Sequence, residues 1–124
     1  QVDCDSLCIS VGLSPLSNVL SMIGAEMKYV HHLGGLVAVI DHQHETSVKN
    51  VFVCGDVCGV EEASSAIVEG YYTGLIVADR LGFTHPNFTE LKIDFEAQLE
   101  NLRSGPFGEK TRQGLRELRG ENDA

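Results

Sequence analysis

Gly55 and Asp56 follow a short apolar run, Val51-Phe52-Val53-Cys54, and precede a long helical pattern. A carboxylate at the carboxyl end of a strand lies where open α/β sheets bind ligands, and a glycine before it lets the backbone turn and a ligand come close. Asp56 is therefore placed to accept a hydroxyl proton from such a ligand. The helix beyond begins at Glu61-Glu62-Ala63, and its first amide N–H groups and positive dipole end face a carbonyl or a developing negative charge. Acidic residues in a first helical turn are ordinarily dipole partners with their carboxylates in water, and that is the expectation for Glu61 and Glu62.

Other reactive side chains are less ordered. Cys54 and Cys58 stand in a Cys-x3-Cys spacing, whereas a redox dithiol is normally Cys-x2-Cys. With Cys4 and Cys8 they make four thiols, which keeps a zinc or iron–sulfur module open as an alternative. Cys8 and Cys54 fall on apolar stretches, where a thiol more often packs as a small hydrophobe. On an extended strand Cys4 and Cys8 would be about 13 Å apart at roughly 3.3 Å per residue, too far for a disulfide, so reduced thiols are expected. His42 and His44 alternate on a polar stretch beside Asp41 and Glu45, which reads as an exposed loop. No Ser/His/Asp set and no phosphate loop can be assembled, so no catalytic residue and no metal ligand is assigned.

The elements that must position these groups follow from pattern. Residues 3–11 read as a strand ended by Gly12 and Pro15, and Ser17 or Asn18 starts a short helix through Ile23 that Gly24 closes. Residues 26–31 and 36–40 read as a hairpin turning at Leu33-Gly34-Gly35, residues 41–50 as loop, and residues 51–54 as a buried strand. Helix 61–81, about 30 Å long at ~1.5 Å per residue, is the strongest signal. Ala66, Gly70, Gly74 and Ala78 make one stripe without bulky side chains, and two glycines inside a helix, each costing roughly 1 kcal/mol against alanine, need a steric reason. Either this chain's own sheet or something outside it packs closely there. Phe88, Leu91, Phe95, Leu99 and Leu102 give an amphipathic helix over 88–102; Ser104-Gly105-Pro106 breaks it, and residues 109–118 form a last charged helix.

Taken together, four segments resemble one family. The Thr46 to Asp56 stretch is similar to the second flavin-binding motif of the FAD-dependent pyridine nucleotide–disulfide oxidoreductases, in which the aspartate holds a ribityl hydroxyl of FAD. Ile9-Ser10-Val11-Gly12-Leu13-Ser14-Pro15 resembles the family's Gly-x-x-Pro crossing strand, and Gly34-Gly35-Leu36-Val37-Ala38-Val39-Ile40-Asp41 resembles its Gly-x-hydrophobic-x-Val-Asp hairpin. More narrowly, Gly59 to Ser64, Glu69-Gly70 and Leu102 to Lys110 look like NAD/FAD-dependent dehydrogenases related to the α subunits of dye-linked proline dehydrogenase, opine oxidase and sarcosine oxidase. The resemblance implies FAD as cofactor, NAD(P) as co-substrate, and Gly12, Pro15, Gly55, Asp56, Glu62 and Ala63 as cofactor-binding positions, the last two through backbone N–H groups at the flavin pyrimidine edge.

The family also opens with a Gly-x-Gly-x-x-Gly turn for the pyrophosphate, and no such turn occurs here. The chain therefore looks like the C-terminal third of a longer enzyme, or one piece of a split one whose partner carries that turn. The expected fold is α/β, or α+β for the fragment by itself: the C-terminal portion of a Rossmann-like FAD-binding domain over residues 1–83, with a helical extension over 84–124. An oligomer is expected. A non-catalytic subunit-interaction domain is the remaining alternative.

Composition sets outer bounds. With 124 residues the chain is one domain at most, and 43% hydrophobic content is that of a globular protein. A formal charge of −9 argues against nucleic acid or an anionic membrane as partner. The longest apolar runs are too short to span a bilayer and the first residues carry no signal core, so a cytoplasmic setting is expected.

Overall fold

The structure is a computed structural model and describes residues 2–121. Elements follow in the order α1 (Asn18–Met22), β1 (Met27–Val30), β2 (Gly35–Ala38), α2 (Ala63–Arg80), α3 (Phe88–Leu102) and α4 (Gly105–Arg119). β1 and β2 form an antiparallel hairpin in which Met27 pairs with Ala38 and Val30 with Gly35. A 3-10 turn at His31–Leu33 joins them, and Gly34 closes it at φ +88°, a left-handed conformation that glycine adopts without the Cβ penalty. The hairpin was expected in this place, and α3 has the bounds its 3.6-residue periodicity gives.

One core lies between the hairpin and α4. Val30, Leu33, Val37, Ile40, Leu115 and Leu118 pack together there with Val53 and Cys58. Gly114 of α4 rests against Leu33, so closely that a Cβ at this position would lie 2.6 Å from the Leu33 Cγ. Lys28 of β1 donates to the Glu117 carbonyl of the same helix. α4 is longer than the sequence pattern gives: Ser104 is the N-cap and Pro106 sits in the first turn, where its missing N–H costs nothing. Ser104-Gly105-Pro106 therefore ends one helix and also starts the next.

α2 buries Ser65, Val68, Glu69, Tyr72, Thr73 and Ile76, a stripe at three- and four-residue steps turned toward the rest of the chain. On the α3 side Tyr71 stacks on Phe95 with ring centroids 5.8 Å apart. The glycine stripe faces elsewhere: no heavy atom outside the helix's own backbone lies within 4 Å of where a Cβ would sit at Gly70 or Gly74. Tight packing on this chain's own sheet, one of the two readings of the sequence, is thus absent at these two glycines among the described residues.

Three expectations are corrected. Residues 3–11 form no strand; the segment is irregular and exposed, and Cys8 with it, because no ladder partner lies beside it among the described residues. Residues 51–54 form an isolated bridge, Phe52 with Glu45, since among the described residues the pairing does not extend beyond the Thr46–Val51 and His44–Val53 backbone hydrogen bonds on either side of it. Residues 41–50 are a loop that is exposed only in part: His42 is exposed as expected, but His44 and Thr46 are buried. Among the described residues no helix is long and apolar enough to cross a membrane.

Candidate functional site

The Gly55–Cys58 segment is a 3-10 turn entered from extended Cys54, and Gly55 adopts φ +76°. Its amide donates to the Glu69 Oε2 at 2.6 Å, across the turn from the strand-like run to α2. A Cβ on Gly55 would meet that of Ala66 at 3.6 Å, so the turn lies close against the first part of the helix. Asp56, next in line, is exposed, and its carboxylate has no side-chain hydrogen bond among the described residues. Only its backbone carbonyl is used, accepting from the Gly59 amide at 3.2 Å.

α2 starts without a side-chain cap and without an acid in its first turn. The Glu62 carbonyl accepts from Ser65 and Ala66, while the Glu62 and Ala63 amides find no acceptor among the described residues. An open carboxylate and open amide donors therefore stand on consecutive elements. That combination suits a polyhydroxylated ligand with an electron-rich end.

What fixes this turn is a cluster that hydropathy does not reveal. Glu69 is 6% exposed, Glu61 12% and Arg103 11% by side chain, and the guanidinium binds both carboxylates. To Glu61 it is bidentate, through Nε at 3.0 Å and Nη2 at 2.6 Å. Burial by itself would lower the Arg103 pKa, but the hydrogen bonds and charges of Glu61 and Glu69 outweigh it and hold it above its ordinary value. Glu61 is thereby corrected from a solvated dipole partner to half of a buried ion pair; Glu62 is exposed, as expected. Arg103 comes from the end of α3, 42 residues beyond Glu61 in the chain.

The remaining positions divide between two places. Gly12 and Glu62 line one cleft of about 600 Å³ with Glu61, Ser65 and Phe107. Pro15 caps the hairpin turn, its Cδ lying 3.6 Å from where a Cβ of Gly34 would be. Gly55, Asp56 and Ala63 are not part of that cleft lining.

Cys54 and Cys58 behave as packing groups, whereas Cys4 and Cys8 are exposed. Burial first, and then the Glu69 charge, push both Cys54 and Cys58 above the usual thiol range, which keeps them protonated and poorly nucleophilic. No group of three His, Cys, Asp or Glu side chains is arranged to hold a metal among the described residues, so the four-cysteine module is not assembled.

Against this geometry, the sequence model of the pyridine nucleotide-disulphide oxidoreductase family matches residues 1–70. The chain belongs to that family. No curated protein and no solved structure gives a significant match. The family match ends inside α2, so it takes in Glu61 and Glu69 but stops short of Arg103. Glu69-Gly70 and Leu102-Arg103-Ser104 stand out in the sequence, yet nothing in their spacing says that residues 69 and 103 meet.

Proposed function

We propose that this chain is the C-terminal, FAD-holding segment of a flavin-dependent oxidoreductase, of the NAD/FAD-dependent dehydrogenase type related to the α subunits of dye-linked proline dehydrogenase, opine oxidase and sarcosine oxidase. The observation that carries it is the open Asp56 carboxylate on the Gly55 turn, beside an uncapped helix start. Membership of an oxidoreductase family whose members generally bind FAD supports the reading.

The residues fit such a group. Asp56 would accept the hydrogen bond of a ribityl hydroxyl, Gly55 would keep the approach free of a side chain, and the Glu62 and Ala63 amides would stabilise charge on the pyrimidine edge. Gly12 and Pro15 would shape the crossing of the chain under the cofactor. When bound, FAD supplies the hydride chemistry, with NAD(P) as the proposed co-substrate. Residues 1–83 are then the cofactor-binding part and 84–124 the extension that braces it, in a cytoplasmic, oligomeric enzyme.

A covering region with the Gly-x-Gly-x-x-Gly turn completes the site, either upstream or on a partner subunit. Leu7, Ile9, Val11 and Leu13, all exposed at alternate positions of the sequence, favour this. Joining the chain to such a region should give a yellow holoprotein, and Asp56→Ala should weaken FAD about 10- to 100-fold, the value of a charge-assisted hydrogen bond. Unchanged FAD affinity in that variant would remove Asp56 from the site.

A further inference from the structure

A second cleft, of about 340 Å³, opens among α2, α3, α4 and the 41–44 loop. Three guanidinium groups reach it, and they are not equivalent. Arg103 is neutralised by Glu61 and Glu69. Arg112 is held in place by carbonyls, its Nη1 donating to those of Arg103 and Gly105, and it has no carboxylate partner among the described residues. Arg119 is barer still: its Nε is shut off from solvent and has no hydrogen-bond partner among the described residues. A buried guanidinium N–H left without an acceptor is costly, and a planar donor fork matches carboxylate or phosphate oxygens.

We propose that this cleft is a binding site for a small anion, a carboxylate or a phosphate, with Arg119 and Arg112 as its ligands. The size suits a compact ligand, being near the lower end for small-molecule pockets. Other groups agree. His44 lines the cleft with its Nδ1 2.8 Å from the Thr73 Oγ1, and its ring stays neutral, chiefly through burial and with Arg119 and Arg103 acting against Asp41 and Glu61. Glu96 also lines it, but it is engaged by the Tyr72 hydroxyl at 3.2 Å and by Lys92 at 3.8 Å. Glu100 is exposed and opposes an anion at its side of the cleft, which places the ligand toward Arg119. None of the proposed flavin positions lines this cleft, so the inference stands or falls separately from the flavin reading.

The test is a titration of the full chain with inorganic phosphate and, separately, with acetate, at constant ionic strength, followed by NMR of the Arg Nε–H and His44 ring signals. Saturable shifts with one anion identify the class, and Arg119→Leu should weaken that binding at least tenfold while Lys49→Gln, a change at an exposed cation elsewhere, leaves it unchanged. Glu100→Gln should tighten it severalfold, a gain that loss of folding cannot mimic. Shifts that never saturate with either anion, or an Arg119→Leu protein that folds and binds as well as the parent, would overturn the site, as would Glu100→Gln binding no tighter.

Discussion

Residues 2–16 and residues 41–54 make opposite use of their side chains. In the first, Leu7, Ile9, Val11 and Leu13 remain 77, 75, 92 and 77% exposed; in the second, His44 and Thr46 are 4 and 7% exposed although the surrounding sequence is polar. His44 and Thr46 can be buried because their polar groups are paired: the His44 ring with Thr73, the Thr46 amide with the Val51 carbonyl at 2.8 Å, the His44 carbonyl with the Val53 amide at 3.0 Å. The apolar segment is bare because no element among the described residues packs over it. Burial thus follows the availability of complementary neighbours more closely than it follows hydropathy.

The sharpest way to break the comparison is to unpair a buried group. Arg103→Met leaves Glu61 and Glu69 facing each other without a cation, and urea denaturation of the full chain should show a loss of about 3–5 kcal/mol. A loss under about 1 kcal/mol, the range of a solvent-exposed pair, would mean that the cluster is not desolvated.

Acid should act on the same buried side. The folded His44 pKa is lowered from 6.5 to about 4, by burial first and then by Arg119 and Arg103, against the opposing charges of Asp41 and Glu61. The unfolded chain therefore takes up this proton first. His44 leaves stability untouched above about pH 6.5, and its cost grows as pH falls from there toward 4, by up to about 3 kcal/mol at ~1.4 kcal/mol per unit. Comparing the parent with His44→Gln between pH 7 and pH 4 isolates this contribution from the titrating carboxylates. Parallel curves would contradict a buried neutral ring.

The exposed side should give the smallest effect. Gly74→Ala meets no neighbour, so the isolated chain should gain about 0.5–1 kcal/mol of helix stability, read in the same denaturation experiment. In a protein whose covering region is present, the added methyl should instead weaken assembly. A loss of stability in the isolated chain would show that the stripe is already covered.

Legibility in the sequence follows the same division. The β1–β2 hairpin and α3 could be read because their determinants are local: a Leu-Gly-Gly turn between apolar runs, and a strict three-and-four spacing from Phe88 to Leu102. Strands at 3–11 and 51–54 were expected from residues whose pattern suits a sheet, but a strand needs neighbours as well as a pattern. The Gly55-Asp56 turn was legible as a candidate site. Its support was not, because the Arg103 link to Glu61 and Glu69 joins residues 42 and 34 positions apart, and no periodicity encodes a contact at that range.

That link carries a consequence for anyone wishing to transplant the segment. A chimera that took residues 1–83 as a ready-made unit would bring along two buried acids while leaving behind the counterion they share, so the graft boundary belongs after Arg103 rather than in the loop at Gly82.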